Sequence, residues 1–238
     1  AAKQPGEGAW LYDAACALRD ILTELGMAID GGKDSLSMAS QGVTPDGGRE
    51  LVLAPPQLVI APYALAEDVG CRVTPDLKTA GNRLLLLPVG ARQRLGGSAL
   101  AQVLGALGDE APDIEDAAKL KGVFCAVQDL VRSGAIVACH DVGDGGLIVT
   151  LLEMAFAGDR GWQVTVEGDD PYHALFAEEA GVVVEVAPTA DVQPLLDRHG
   201  VRAIALGRVA DTGTEAVLQL TFNDAVLLSE PLRDLHLA

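Results

Sequence analysis

A mixed α/β or α+β chain is predicted by three features of the 238 residues. Apolar residues switch repeatedly between helical spacing and short continuous or alternating runs. Their order is irregular, strand and loop first and then mixed helices and strands, which argues against a purely doubly wound parallel sheet. Two runs, Leu84–Leu87 and Ala135–Cys139, are wholly apolar, as strands covered on both faces are.

The elements follow in order. Ala1 to Gly8 reads as loop. Trp10, Leu11, Ala14, Leu18, Ile21, Leu22 and Leu25 recur at helical spacing, with Gly26 as the stop. Met27 to Asp30 reads as a short strand. Leu36 and Met38 alternate with Ser35 and Ser37 as in a half-buried strand. Thr44 to Arg49 is turn chemistry. Leu51–Leu53 and Leu58–Ile60 read as strands separated by Pro55-Pro56, which demands an edge or a bend. A boundary is expected within Thr79–Asn82, dividing the chain into domains 1–80 and 81–238.

Beyond it, a helix is expected from about Gly97 to Leu107. A long helix follows, capped by Asp113, with Ile114, Ala117, Phe124, Val127 and Val131 on one face and Gly134 as the stop. An apolar helix follows Gly146. Trp162–Val166, Val182–Val186 and Arg202–Val209 read as strands, with helices at Pro171–Glu179 and Ala190–His199. Glu215–Phe222 and Val226–Leu228 read as a hairpin about Asn223-Asp224.

Composition excludes several functions. With 49% hydrophobic and 21% charged residues the chain folds rather than staying disordered. A net charge of −17 repels nucleic acid and anionic membranes, so neither is expected as a partner. No apolar run reaches the roughly 18 residues needed to span a bilayer. Cys16, Cys71, Cys125 and Cys139 are scattered without Cys-x-x-Cys spacing, which predicts buried thiols in a cytoplasmic, reducing compartment.

Two segments concentrate chemistry. In His140-Asp141-Val142-Gly143-Asp144-Gly145-Gly146 a strand delivers two carboxylates to a helix N-terminus. Such a terminus favours phosphate, and a Mg2+ between phosphate and carboxylate would reconcile their charges. An Asx-type turn with glycines for close packing explains the same residues structurally. In Asp30-Gly31-Gly32-Lys33-Asp34-Ser35, the glycines permit close backbone approach and Lys33 offers a cation. It is not a Walker loop, because a strand rather than a helix follows. A tight turn with an exposed lysine is the alternative. Arg94-Leu95-Gly96-Gly97-Ser98 reads as a packing corner, and Glu178-Glu179 sets two acids at a helix end that disfavours them. His173, His199 and His236 read as solvent-facing.

The stretches DGGKDSLSM at 30–38, VTPDLK at 73–78, RLGGSALAQ at 94–102, HDVGDGGLIVTLLEMAFAG at 140–158 and LFAEEAG at 175–181 together resemble the phosphoribosylformylglycinamidine synthase (FGAR amidotransferase) family in its large, single-chain form. The resemblance implies an aminoimidazole-ribonucleotide-synthetase-like fold, with residues 1–80 ending a second N-type subdomain and residues 81–238 forming a complete C-type subdomain. It implies an enzyme that uses ATP and glutamine-derived ammonia to turn the formamide oxygen of formylglycinamide ribonucleotide into an amidine nitrogen. ATP would convert that oxygen to an iminophosphate, and ammonia would displace the phosphate.

By the same resemblance Asp141 is a Mg2+ ligand. Gly143 stands where the family has a nucleotide-contacting serine, leaving only a backbone contact there. Gly31, Gly32 and Lys33 are the further phosphate-binding candidates. Catalytic residues and the other metal ligands are expected outside these residues, in the remaining synthetase half and a glutaminase domain, so this chain alone is expected to be inactive. Two other readings stand beside it: a stand-alone kinase-like member of the fold, and a non-catalytic nucleotide-binding or interaction module.

Overall fold

The computed structural model describes residues 4–33, 35–36, 38–108, 110–213 and 216–236, which fall into two compact units divided between Glu67 and Asp68. The division precedes the expected one because Leu77 is buried in the core of the second unit, and its amide donates to Met154 O at 3.1 Å.

The first unit opens with α1 (Glu7–Leu25), closed by Gly26 in the left-handed conformation as its stop signal predicts. Leu11, Leu18, Ile21, Leu22 and Leu25 form its half-buried stripe, and no residue of the helix is fully buried. β1 (Ala39–Val43) and β2 (Arg49–Leu53) form an antiparallel hairpin across the expected turn. The expected strands at Met27–Asp30 and Leu58–Ile60 are absent: these residues are irregular and exposed, without a pairing partner. The alternating segment around Leu36 is a turn and the strand begins at Ala39; Ser37 lies outside the described residues.

In the second unit the strands are β3 (Arg83–Pro88), β4 (Ile136–Asp141), β5 (Arg160–Val166), β6 (Gly181–Val186), β7 (Ile204–Thr212), β8 (Val217–Phe222) and β9 (Ala225–Pro231). They form one sheet in the order β4-β6-β3-β7-β5-β8-β9, antiparallel except where β5 and β8 run parallel. The helices are α2 (Ala99–Val103), α3 (Ala117–Arg132), α4 (Gly146–Gly158), α5 (Pro171–Phe176), α6 (Gln193–Arg198) and α7 (Leu232–His236).

Successive strand side chains point to opposite faces, so the Leu84–Leu87 run is covered on both. Leu84 packs in one core with Leu151 and Met154 of α4 and Trp162 of β5. Leu85 and Leu87 pack in the other with Val123, Ala126 and Leu130 of α3 and Leu196 of α6. The central position of β3 decides this burial.

Several boundaries shift from expectation. α2 is one short turn: Ser98 caps its start by accepting from Ala101 N, and Gly105, in the left-handed conformation, follows its end. The cap of α3 is Asp116, accepting from Lys119 N, while the Asp113 carboxylate accepts from its neighbour Ile114 N. The buried face of α3 is Ala117, Val123, Ala126 and Leu130, and Phe124 is 62% exposed.

Candidate functional site

The HDVGDGG corner forms where β4 ends and α4 begins. Thr150 of α4 donates to Asp141 O at 3.2 Å, and His140 Nδ1 lies 2.8 Å from the same carbonyl. His140 Nε2 is 3.2 Å from Glu153 Oε2, so two positions of α4 grip the strand exit. The Asp141 carboxylate remains 84% exposed, with Oδ1 3.4 Å from His140 Nδ1. Cys139 is no nucleophile, since burial, and secondarily the charge of Asp141, push its thiol up to about 11.

The two glycines before the helix have a structural cause. Gly145 and Gly146 both take positive φ, and a Cβ on Gly146 would lie 2.8 Å from Leu175 O and Ala177 O. This close approach seats the start of α4 against the exit of α5. Gly143 is unlike them: a Cβ there would meet nothing within 4 Å, and its φ is not positive.

Sequence reasoning did not foresee the convergence of three motif segments. One oxygen of Glu178 accepts from Gly145 N at 2.7 Å and from Ala99 N at 2.8 Å, tying together the starts of α4 and α2. The donor expected to attract phosphate ahead of α4 is therefore already held by a carboxylate. Glu179 receives Arg94 Nε at 2.6 Å and Nη2 at 2.7 Å. Burial raises the Glu179 pKa, but the hydrogen bonds and charge of Arg94 outweigh it and hold the group below its ordinary range. Acids that conflict with their own helix end thus serve neighbouring elements. The signal was the pairing of RLGGS and LFAEEAG by charge.

A cleft of about 660 Å³ opens at this end of the sheet, lined among others by Pro88, Val142, Leu147, Ala177 and Gly181. Asp141 and Gly143 border its sequence neighbours without lining it. Gly31, Gly32 and Lys33 lie exposed in the first unit, where Lys33 Nζ donates to Ser35 Oγ at 2.5 Å. A Cβ on Gly31 or Gly32 would meet nothing within 4 Å, and neither has a positive φ, so neither glycine is required by this unit's own packing. Asp34 lies outside the described residues.

Mg2+ demands about six oxygens in octahedral array. Among the described residues no three His, Cys, Asp or Glu side chains gather at one point. Asp141 fits as a single outward-facing carboxylate ligand, not as a complete metal site.

The mixed sheet carries α3 and α6 on one face and α4 and α5 on the other. The chain belongs to the family described as AIR synthase related protein, C-terminal domain, whose model matches residues 79–219. The FGAR-AT PurM_N-like domain model matches residues 1–65. The chain is 44% identical over 244 residues to phosphoribosylformylglycinamidine synthase of Homo sapiens, covering 99% of this chain and 18% of that protein. It is 47% identical to the probable chloroplastic/mitochondrial phosphoribosylformylglycinamidine synthase of Arabidopsis thaliana, covering 89% of this chain and 15% of the relative. Thermotoga maritima PurL complexed with FGAR shares the fold, with a TM-score of 0.64 at 16% identity over 91% of this chain and 36% of that one. The chain thus spans less than a fifth of the curated relatives.

Proposed function

We propose that this chain is part of an ATP- and glutamine-dependent C–N ligase that converts formylglycinamide ribonucleotide to formylglycinamidine ribonucleotide in purine biosynthesis. The observation that carries this reading is the 44% identity to the human synthase along 99% of the chain. The domain assignment follows: residues 1–80 would end an N-type subdomain, and 81–238 form a C-type one. Catalytic residues and glutaminase chemistry belong to the rest of the same polypeptide. A net charge of −17 speaks against nucleic acid and anionic membranes as partners.

Asp141 is the metal-ligating candidate because its carboxylate is exposed while its backbone is pinned by Thr150 and His140. When bound, Mg2+ would neutralise nucleotide phosphate charge. Gly143 offers only its backbone to the nucleotide, and its open Cβ position leaves room for a ligand to approach. Gly31, Gly32 and Lys33 are proposed as a further phosphate contact on the same ground of exposure. The four cysteines are unpaired, which accords with a cytoplasmic, reducing compartment, but none is fully buried as expected: Cys71 is exposed and the other three are half-buried. No helix among the described residues is long and apolar enough to cross a membrane.

The test uses the longer polypeptide with Asp141→Asn, which keeps side-chain shape and removes the charge. We expect less Mg-nucleotide retained on extraction and a smaller nucleotide-dependent rise in melting temperature. Identical retention and melting would make Asp141 a turn residue. The 238-residue chain by itself is expected to show no ammonia-dependent ATP turnover with formylglycinamide ribonucleotide. Turnover comparable with an intact synthetase would favour an independent enzyme.

A further inference from the structure

The cleft that begins at Val142 and Leu147 passes the exit of β3 and reaches the opposite face of the sheet. There its floor is formed by the buried Val89, Val123 and Val201, each presenting only 4–8% of its surface, and Arg92, Lys119 and Arg202 edge it. The start of α3 and the residues leaving α6 cross closely: a Cβ on Gly122 would lie 2.8 Å from His199 O. Lys119, about one turn before Gly122, and Arg202, next to Val201, therefore flank one crossing.

Their charges are poorly used. Arg92 is committed to Glu110 and Glu115, and His199 is held by Asp129 at 2.9 Å. Glu179, the acid lining the cleft, is taken by Arg94. Lys119 pairs only loosely with Asp116, 3.8 Å away, and remains 65% exposed. Arg202 is exposed and makes no side-chain hydrogen bond or ion pair among the described residues. In a chain of net charge −17, two such cations beside an apolar cleft are a local reversal of the field. The whole cleft, of which this is one end, has a volume of about 660 Å³, within the range of small-molecule sites.

We propose that this end of the cleft binds a small amphipathic anion, with an apolar ring-sized body against Val89, Val123 and Val201 and a phosphate monoester head held by Lys119 and Arg202. Two cations match the near-dianionic charge of such a head at neutral pH, and guanidinium offers it a bidentate contact. The valine floor offers a ribose no hydrogen-bonding partner, which favours an apolar body over the ribonucleotide of the proposed reaction. The site uses neither Asp141 nor Gly143.

The test titrates phenyl phosphate into the 238-residue chain, by calorimetry and heteronuclear NMR. Saturable binding is expected, with the largest amide shifts at Lys119, Val123, Val201 and Arg202. Inorganic phosphate and benzyl alcohol, carrying the head or the body alone, should each bind at least about tenfold more weakly. Lys119→Gln with Arg202→Gln should weaken phenyl phosphate about tenfold, and restoring a cation by Arg202→Lys should recover part of that loss. NMR mapping on the unsubstituted chain decides the question even if the double variant fails to fold. The proposal is overturned by absence of saturable binding, by unchanged affinity in the folded double variant, or by shifts confined to 141–146.

Discussion

Glu185 interrupts the apolar run Val182-Val183-Val184-Glu185-Val186 and is fully buried in β6. It persists there because its carboxylate accepts from Lys78 N at 2.8 Å, Thr79 N at 3.0 Å and Asn82 Nδ2 at 2.6 Å. A buried acceptor is tolerated when its lone pairs are met by donors. Glu185→Gln keeps the shape but turns one oxygen into a donor facing a donor. We expect a loss of about 1–3 kcal/mol, read as a lower denaturant midpoint with unchanged m value. The glycines divide similarly. Gly146→Ala sets a methyl 2.8 Å from two carbonyl oxygens in a left-handed backbone, and should cost at least about 2 kcal/mol. Gly32→Ala meets nothing within 4 Å and should leave the melting point unchanged, as should Lys33→Ala. The backbone of Gly32 is not in the left-handed region, so an added Cβ brings no φ strain there. Any kinetic defect of either variant would then report a ligand. Asp141 and the glycine pair were legible as a corner in the sequence. The roles of Glu178 and Glu179 were not, because their partners Gly145, Ala99 and Arg94 are distant along the chain.

At the scale of elements, α3 shows why periodicity places a helix better than it orients one. Its apolar residues are numerous enough to suggest two faces, and packing against Leu196 and Val201 selects Val123, Ala126 and Leu130, leaving Phe124 outside. α3 is also tied to the end of α6 by Asp129, which accepts from His199 Nε2 at 2.9 Å and Arg198 Nη1 at 3.3 Å. His199 is thus engaged rather than simply solvent-facing. These bonds, His199 first, hold the Asp129 carboxyl below its ordinary range. A group whose folded pKa is depressed stabilises above its unfolded pKa, near 4. That contribution vanishes as pH falls through the lower folded value. Asp129→Asn should melt below the parent at neutral pH, with the gap closing as pH drops below about 4. A gap that is constant across that range would show that Asp129 acts by shape alone.

Over the whole molecule, the two units differ in how their sequences are satisfied. The second buries both faces of β3 between helices. Residues 54–67 of the first carry no ladder, and Tyr63 and Leu65 are 94% and 99% exposed. Exposed backbone without hydrogen-bonded structure is where proteases cut first. Limited chymotrypsin digestion should cleave after Tyr63 or Leu65 before any site within 83–231. A first cut inside the seven-stranded sheet would contradict this division. The sequence by itself determined the mixed class, the continuous central strand, the α4 corner and the family, because period, composition and motif spacing are local properties. It could not determine that Leu58–Ile60 would remain unpaired, that Leu77 would join the second core, or that Glu178 would hold the starts of two helices. Strand pairing, burial and the satisfaction of a charge depend on partners brought together by the fold, and those partners are remote in the chain.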